Sequence, residues 1–227
     1  MRVFFQSNDA ALNGTQTVCP LLAEKDYAAS SVFQPEALLR EARGQKGLPL
    51  APVPEVCVLD PDGDIVRHAR RRGTARLHPG WACYHTELVG LDLDDVGEIG
   101  VVGCAVGASF AVLVAEQIFA SGCKLLISVT SAGQIADVGP PPYFVLIERA
   151  LRDEGTSYHY LPPSPYSELR PAIGEVIRAG WDQARLPLYT GASWTTDAPF
   201  RETEAMLARC RPRARASRRA ARASRRP

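Results

Sequence analysis

No two of the six cysteines, Cys19, Cys57, Cys83, Cys104, Cys123 and Cys210, are spaced as a CxxC pair, and none shows metal-ligand spacing. That lack excludes a zinc ribbon or a dithiol redox motif. Several of the six lie inside apolar runs, where a reduced cysteine behaves as a small hydrophobe, so a cytoplasmic protein is expected. Long apolar runs are missing as well. The longest, around Phe110 to Ala120, contains Glu116 and is too short to cross a bilayer, and the first thirty residues show no basic start followed by an apolar stretch. No membrane partner is expected. There is no GxGxxG string and no lysine placed as in a Walker loop, which removes the two commonest nucleotide fingerprints. No internal repeat is present.

What is there is ordinary in bulk and uneven in detail. The 227 residues, 46% of them hydrophobic and 22% charged, suit one soluble α/β domain without requiring a second. Charge is segregated: residues 209–227 hold nine of the 26 basic residues and no acid, leaving 17 basic against 25 acidic residues in the rest. The body is acidic and the tail basic. The tail, RCRPRARASRRAARASRRP, has no apolar face and repels itself, so disorder is expected there. Its Arg/Ala/Ser/Pro monotony is what a shifted reading frame in a GC-rich gene produces, and that origin is the expectation rather than a nucleic-acid-binding arm. Residues 1–30 carry no assignable signal, and 31–208 is read as the domain.

The stretch Ile99–Ile135 orders strand, glycine loop, apolar helix, strand and small-residue loop without a break. This predicts a βαβ unit, with strands over Ile99–Gly103 and Leu125–Val129, both buried, and a helix over Ala111–Ala120. Ligands in open α/β sheets sit at the carboxyl ends of strands, and both ends here are built from Gly, Ala, Ser and Thr. Elsewhere the patterning predicts helices over 35–43, 65–72, 143–154 and 171–183, and strands over 56–59, 84–91 and 187–193. The cluster DPDGD at 60–64 reads as a turn, and 158–166 as a proline-rich loop.

Four short motifs stand at predicted strand ends. Gly63-Asp64-Ile65-Val66-Arg67 could present a glycine N–H and a permanently charged, bidentate guanidinium to an anion. GCAVGAS at 103–109 places two glycines before a helix N-terminus, a place that suits anions. Thr130-Ser131-Ala132-Gly133 offers two hydroxyls, and Thr195-Thr196-Asp197 two more with a carboxylate. Taken singly, each is also explained by a turn or a cap. His85, beside Trp81, reads as a packing residue, and His159 could line a loop over a substrate. Glu116 and Asp137 have no partner spacing that argues for paired carboxylates or a metal.

In sequence, GDxxR, a glycine-rich loop, TSAG and GASWTTDAPF resemble the nucleoside phosphorylase and nucleosidase superfamily, over roughly residues 53–203. The resemblance implies a single α/β domain with a central mixed, partly barrel-like sheet flanked by helices, working as a homo-oligomer. It implies cleavage of the N-glycosidic bond of a nucleoside, with inorganic phosphate as co-substrate and no cofactor, to give free base and pentose 1-phosphate. By position it assigns Gly63, Arg67 and Ser131 to phosphate, with Arg67 as the catalytic group, and Thr130, Gly133, Thr196 and Phe200 to the nucleoside. No metal is implied.

The chain departs from the family at four places. Ile65 stands for the usual proline, and Pro199 stands where a base-stacking phenylalanine is usual, displacing the aromatic to Phe200. Ser128 occupies the position of the second phosphate arginine, as in nucleosidases. No Glu-Met-Glu ribose string occurs. A nucleosidase using water, or a catalytically impaired member that binds nucleoside or anion, are therefore the alternative expectations.

Overall fold

The alternation Val56-Cys57-Val58-Leu59-Asp60 decides the centre of the molecule. In a strand, successive side chains point to opposite faces, and here Cys57 and Leu59 join one buried cluster while Val56 and Val58 pack against another. Both faces of this strand, β1 (Val56–Asp60), are therefore covered. The computed structural model describes residues 19–211 apart from 24 and 183. The first eighteen residues and most of the arginine-rich tail lie outside the described residues.

β1 pairs in parallel with β4 (Gly97–Gly103) on one side and β5 (Leu125–Ser128) on the other. β3 (Val89–Leu93) runs antiparallel to β4, and β2 (Arg76–Leu77) antiparallel to β3, giving the order β2-β3-β4-β1-β5. Helix α3 (Ala108–Ala120) connects β4 to β5 across β1, as the parallel crossover requires. Its Val114 and Ile118 are fully buried against Cys57, Leu59, Leu88 and Val102. Helix α2 (Asp64–Arg71) covers the opposite face, placing Ile65, Val66 and Ala69 against Val89, Leu91, Ile99 and Val101. Helix α1 (Pro35–Lys46), started by proline and ended by Gly47 at φ +63°, buries Leu39 and Ala42 beside Ala82 and Ala120.

A second, three-stranded sheet has β6 (Phe144–Asp153) between β7 (Tyr166–Glu168), antiparallel, and β8 (Leu188–Thr196), parallel. A bulge interrupts the β6–β8 register between Ile147 and Arg149. Helix α4 (Pro171–Gly180) follows β7, and Arg178 on it pairs with Glu148 at 2.7 Å. A short helix α5 (Glu204–Cys210) is capped by the Thr203 hydroxyl. No helix among the described residues is long and apolar enough to cross a membrane.

Three expectations are corrected. The segment 143–154 is a strand: Leu, Glu, Arg and Ala are helix formers, but that preference is under about 1 kcal/mol per residue, and pairing on both edges of β6 outweighs it. The strand read over 84–91 begins only at Val89, because Trp81 Nε1 donates to the Thr86 carbonyl and hydroxyl and holds the preceding residues in a loop. β5 is not buried: Leu125 and Ile127 are exposed, since β5 is the edge of its sheet.

All six cysteines are free. Burial, then the neighbouring Cys123, pushes the Cys57 thiol up to about 12. In the folded chain a thiol reagent at neutral pH is expected to modify the exposed Cys19 and Cys104 promptly, and Cys57 and Cys123 only on unfolding, as mass spectrometry of the modified protein would show. Shortening Ile118 to alanine is expected to cost about 3 kcal/mol in urea unfolding; a loss under about 1 kcal/mol would contradict its place in the core.

Candidate functional site

The carboxyl ends of β1, β4 and β5 meet around one buried acid. Asp60, the last residue of β1, is 2% exposed. Its backbone oxygen accepts from Gly63 N and Cys104 N, both at 2.9 Å, and its carboxylate accepts from Val66 N at 3.0 Å. The N-cap of α2 is Gly63, which has no side chain to serve the first-turn N–H groups, so Asp60 supplies that acceptor from outside the helix.

Gly63 is fixed by this arrangement. Its φ is +73°, and a Cβ there would stand 2.6 Å from Cys104 Sγ and 2.8 Å from a terminal guanidinium nitrogen of Arg67. The glycine thus lets Arg67 fold back over the turn toward the β4 loop. Cys104 also has a positive φ, +63°, uncommon for a residue with a side chain and typical of loops held for a purpose. Arg67 is half exposed and donates to Asp64 Oδ1 at 2.5 Å, which raises its affinity for the proton further.

Asp62 closes the cluster on the β5 side. Its Oδ2 accepts from Ser131 N at 2.5 Å and from Thr130 Oγ1 at 3.1 Å. The Ser131 N–H first, then the Ser131 and Thr130 side chains and the charge of Arg67, hold its carboxyl below the usual aspartate range. The structure thus brings Gly63, Arg67, Thr130 and Ser131 to one place. Gly133 lies two residues beyond Ser131 with nothing within 4 Å of where a Cβ would stand, Thr196 ends β8 in the second sheet and its hydroxyl accepts from Ala198 N at 3.2 Å, and Phe200 is fully exposed in a 3-10 turn.

A separate cleft of about 410 Å³ lies between α1, α3 and the 155–160 segment. Asp197 lines it and accepts from Gly155 N at 2.7 Å, and His159, bonded to Lys25 at 3.0 Å, stands at its edge. None of the four strand-end residues lines it. His85 packs edge-on against Phe110, a structural place. Among the described residues no group of three His, Cys, Asp or Glu side chains is placed to hold a metal.

Sequence reasoning passed over Asp60, Asp62 and Cys104. DPDGD reads as a turn, and the signal that could have found the acids was three aspartates flanking a single glycine directly after a strand. A further omission is Arg152, 6% exposed, whose guanidinium donates to Ser157 Oγ, Ser164 Oγ and the carbonyls of Pro162 and Leu161, and so shapes the 155–165 segment.

Residues 76–218 match the family model of the phosphorylase superfamily. A search of curated proteins finds no match. Among solved structures, uridine phosphorylase from Vibrio fischeri ES114, complexed with 6-hydroxy-1-naphthoic acid, is similar with a TM-score of 0.55 at 20% identity, over 70% of this chain and 64% of that one. The chain thus spans less than two thirds of that relative's length. Purine nucleoside phosphorylase from Toxoplasma gondii in complex with immucillin-H gives 0.55 at 13% identity, over 73% and 66%. Futalosine hydrolase of Helicobacter pylori gives 0.55 at 14% identity, over 73% and 77%. At these identities the likeness is one of fold.

Because the folded chain holds Asp62 down, its contribution to stability is complete above the ordinary aspartate range and is lost as pH falls through the depressed folded value. The Tm gap between the wild type and Asp62→Asn is expected to be constant above pH ~5 and to close below pH ~4. A gap unchanged to pH 2 would mean that this carboxylate is not held by Ser131.

Proposed function

The chain belongs to the phosphorylase superfamily, and from that premise we propose that it cleaves the N-glycosidic bond of a nucleoside with inorganic phosphate, releasing free base and pentose 1-phosphate. The observation that carries this reading is the strand-end cluster, where a turn glycine, a permanent cation and the Thr130 and Ser131 donors face one place. Breaking the C1′–N bond builds positive character on the sugar and negative charge on the leaving base. An anion held below the sugar stabilises the first, and Arg67 would hold and orient it. Thr130 would share that place with the ribose, and Gly133, Thr196 and Phe200 are proposed to border the nucleoside, Thr196 from the end of β8 and Phe200 from the 3-10 turn after it.

Hydrolysis is the second reading. Ser128 stands at the end of β5 where the resemblance expects a second phosphate arginine, leaving one guanidinium for a dianion. The fold neighbours include enzymes of both kinds. A cytoplasmic homo-oligomer belongs to the proposal as well. The exposed Leu125 and Ile127 of edge strand β5 are the kind of surface that another subunit covers.

Free-base release from a panel of purine and pyrimidine nucleosides, with and without phosphate, separates the readings. Phosphate-dependent release is expected, reduced roughly 10²- to 10³-fold by Arg67→Ala. Equal release without phosphate would favour the nucleosidase, and no release with ligand-induced stabilisation would favour a binding protein.

A further inference from the structure

We propose that Asp62 is the chain's own occupant of the anion site and sets how readily phosphate enters it. The inference rests on reading the strand-end cluster as an anion site. Asp62 takes the Ser131 N–H at 2.5 Å and the Thr130 hydroxyl at 3.1 Å, the donors that would complete a cradle with Arg67. A carboxylate and a phosphate are both acceptor-only oxygen groups, and one donor hydrogen cannot serve both at full strength. Phosphate must therefore displace Asp62 from the β5 end of the site.

The surrounding charge adds to that demand. Asp64 pairs with Arg67, and the charges of Asp60 and Asp62 also act on that guanidinium, so a dianion approaches three carboxylates about this cation, whereas water meets no such barrier. The Asp64 pair is more than half exposed on both sides and exchanges easily. Asp62 differs, because one carboxylate oxygen holds two donors on another strand's end. It joins the turn after β1 to the loop after β5, and an incoming anion must break that join. Asp62 is thus a specificity-determining residue that weighs phosphate against water as nucleophile. It takes no covalent part in the reaction.

Phosphate binding to the full chain, measured by calorimetry, tests this with Asp62→Asn, Asp62→Ala and Arg67→Ala. Both Asp62 variants are expected to bind phosphate about tenfold tighter than the wild type, a difference of about 1.4 kcal/mol, with Arg67→Ala abolishing the gain. Asp62→Asn keeps the shape but replaces the carboxylate with a neutral, weaker acceptor that phosphate displaces more easily, so it reports even if the alanine variant folds poorly. Equal or weaker binding in the Asp62 variants, with Arg67 still required, would overturn the role of Asp62 and leave the anion site standing. Phosphate binding that ignores Arg67, or none in any variant, would overturn the anion site itself.

Discussion

Asp60 is the constraint on which the rest depends. A carboxylate so deeply buried is tolerable only where its acceptors are used, and its backbone and side-chain oxygens together receive N–H groups from Gly63, Val66 and Cys104. One residue thereby fixes the end of β1, the first turn of α2 and the loop after β4. Gly63 at positive φ and the returning Arg67 follow from that geometry, because only a residue without Cβ fits between the Cys104 thiol and the guanidinium. The site is a property of the central strand's last residue.

The two sheets make unequal contributions. In the five-stranded sheet, Cys57, Val89, Val101 and Val102 are almost wholly excluded from solvent, and helices cover both faces of β1. The three-stranded sheet is only partly covered, and its buried residues include Arg152 and Thr190 alongside Leu188. Close packing holds polar groups to defined positions, and the strand-end cluster proposed to take an anion sits on the better-packed layer. Of the residues proposed to meet the nucleoside, Thr196 ends β8 on the layer with fewer buried side chains, and Phe200 follows it in an exposed 3-10 turn.

The βαβ unit was legible because its periodicity and its burial agree. Val114 and Ile118 recur at helical spacing on α3, and Ile99 to Gly103 ends in the glycine that a strand-to-helix turn uses. Arg67 and Gly63 were legible as a pair, because a glycine directly after a strand and a cation one turn into the next helix share a strand end. β6 was not legible, since its residues carry helix-forming character and its strand identity comes from partners far along the chain. Asp62 was not legible either. A turn aspartate ordinarily bonds its own backbone, and nothing in DPDGD says that this one reaches Ser131, 69 residues away.

The most direct test is a crystal structure of the chain with phosphate. The anion is expected between Gly63, Arg67, Thr130 and Ser131, with the Asp62 carboxylate turned away from the Ser131 N–H. Phosphate bound away from Arg67, or bound with the Asp62–Ser131 hydrogen bond intact, would contradict it.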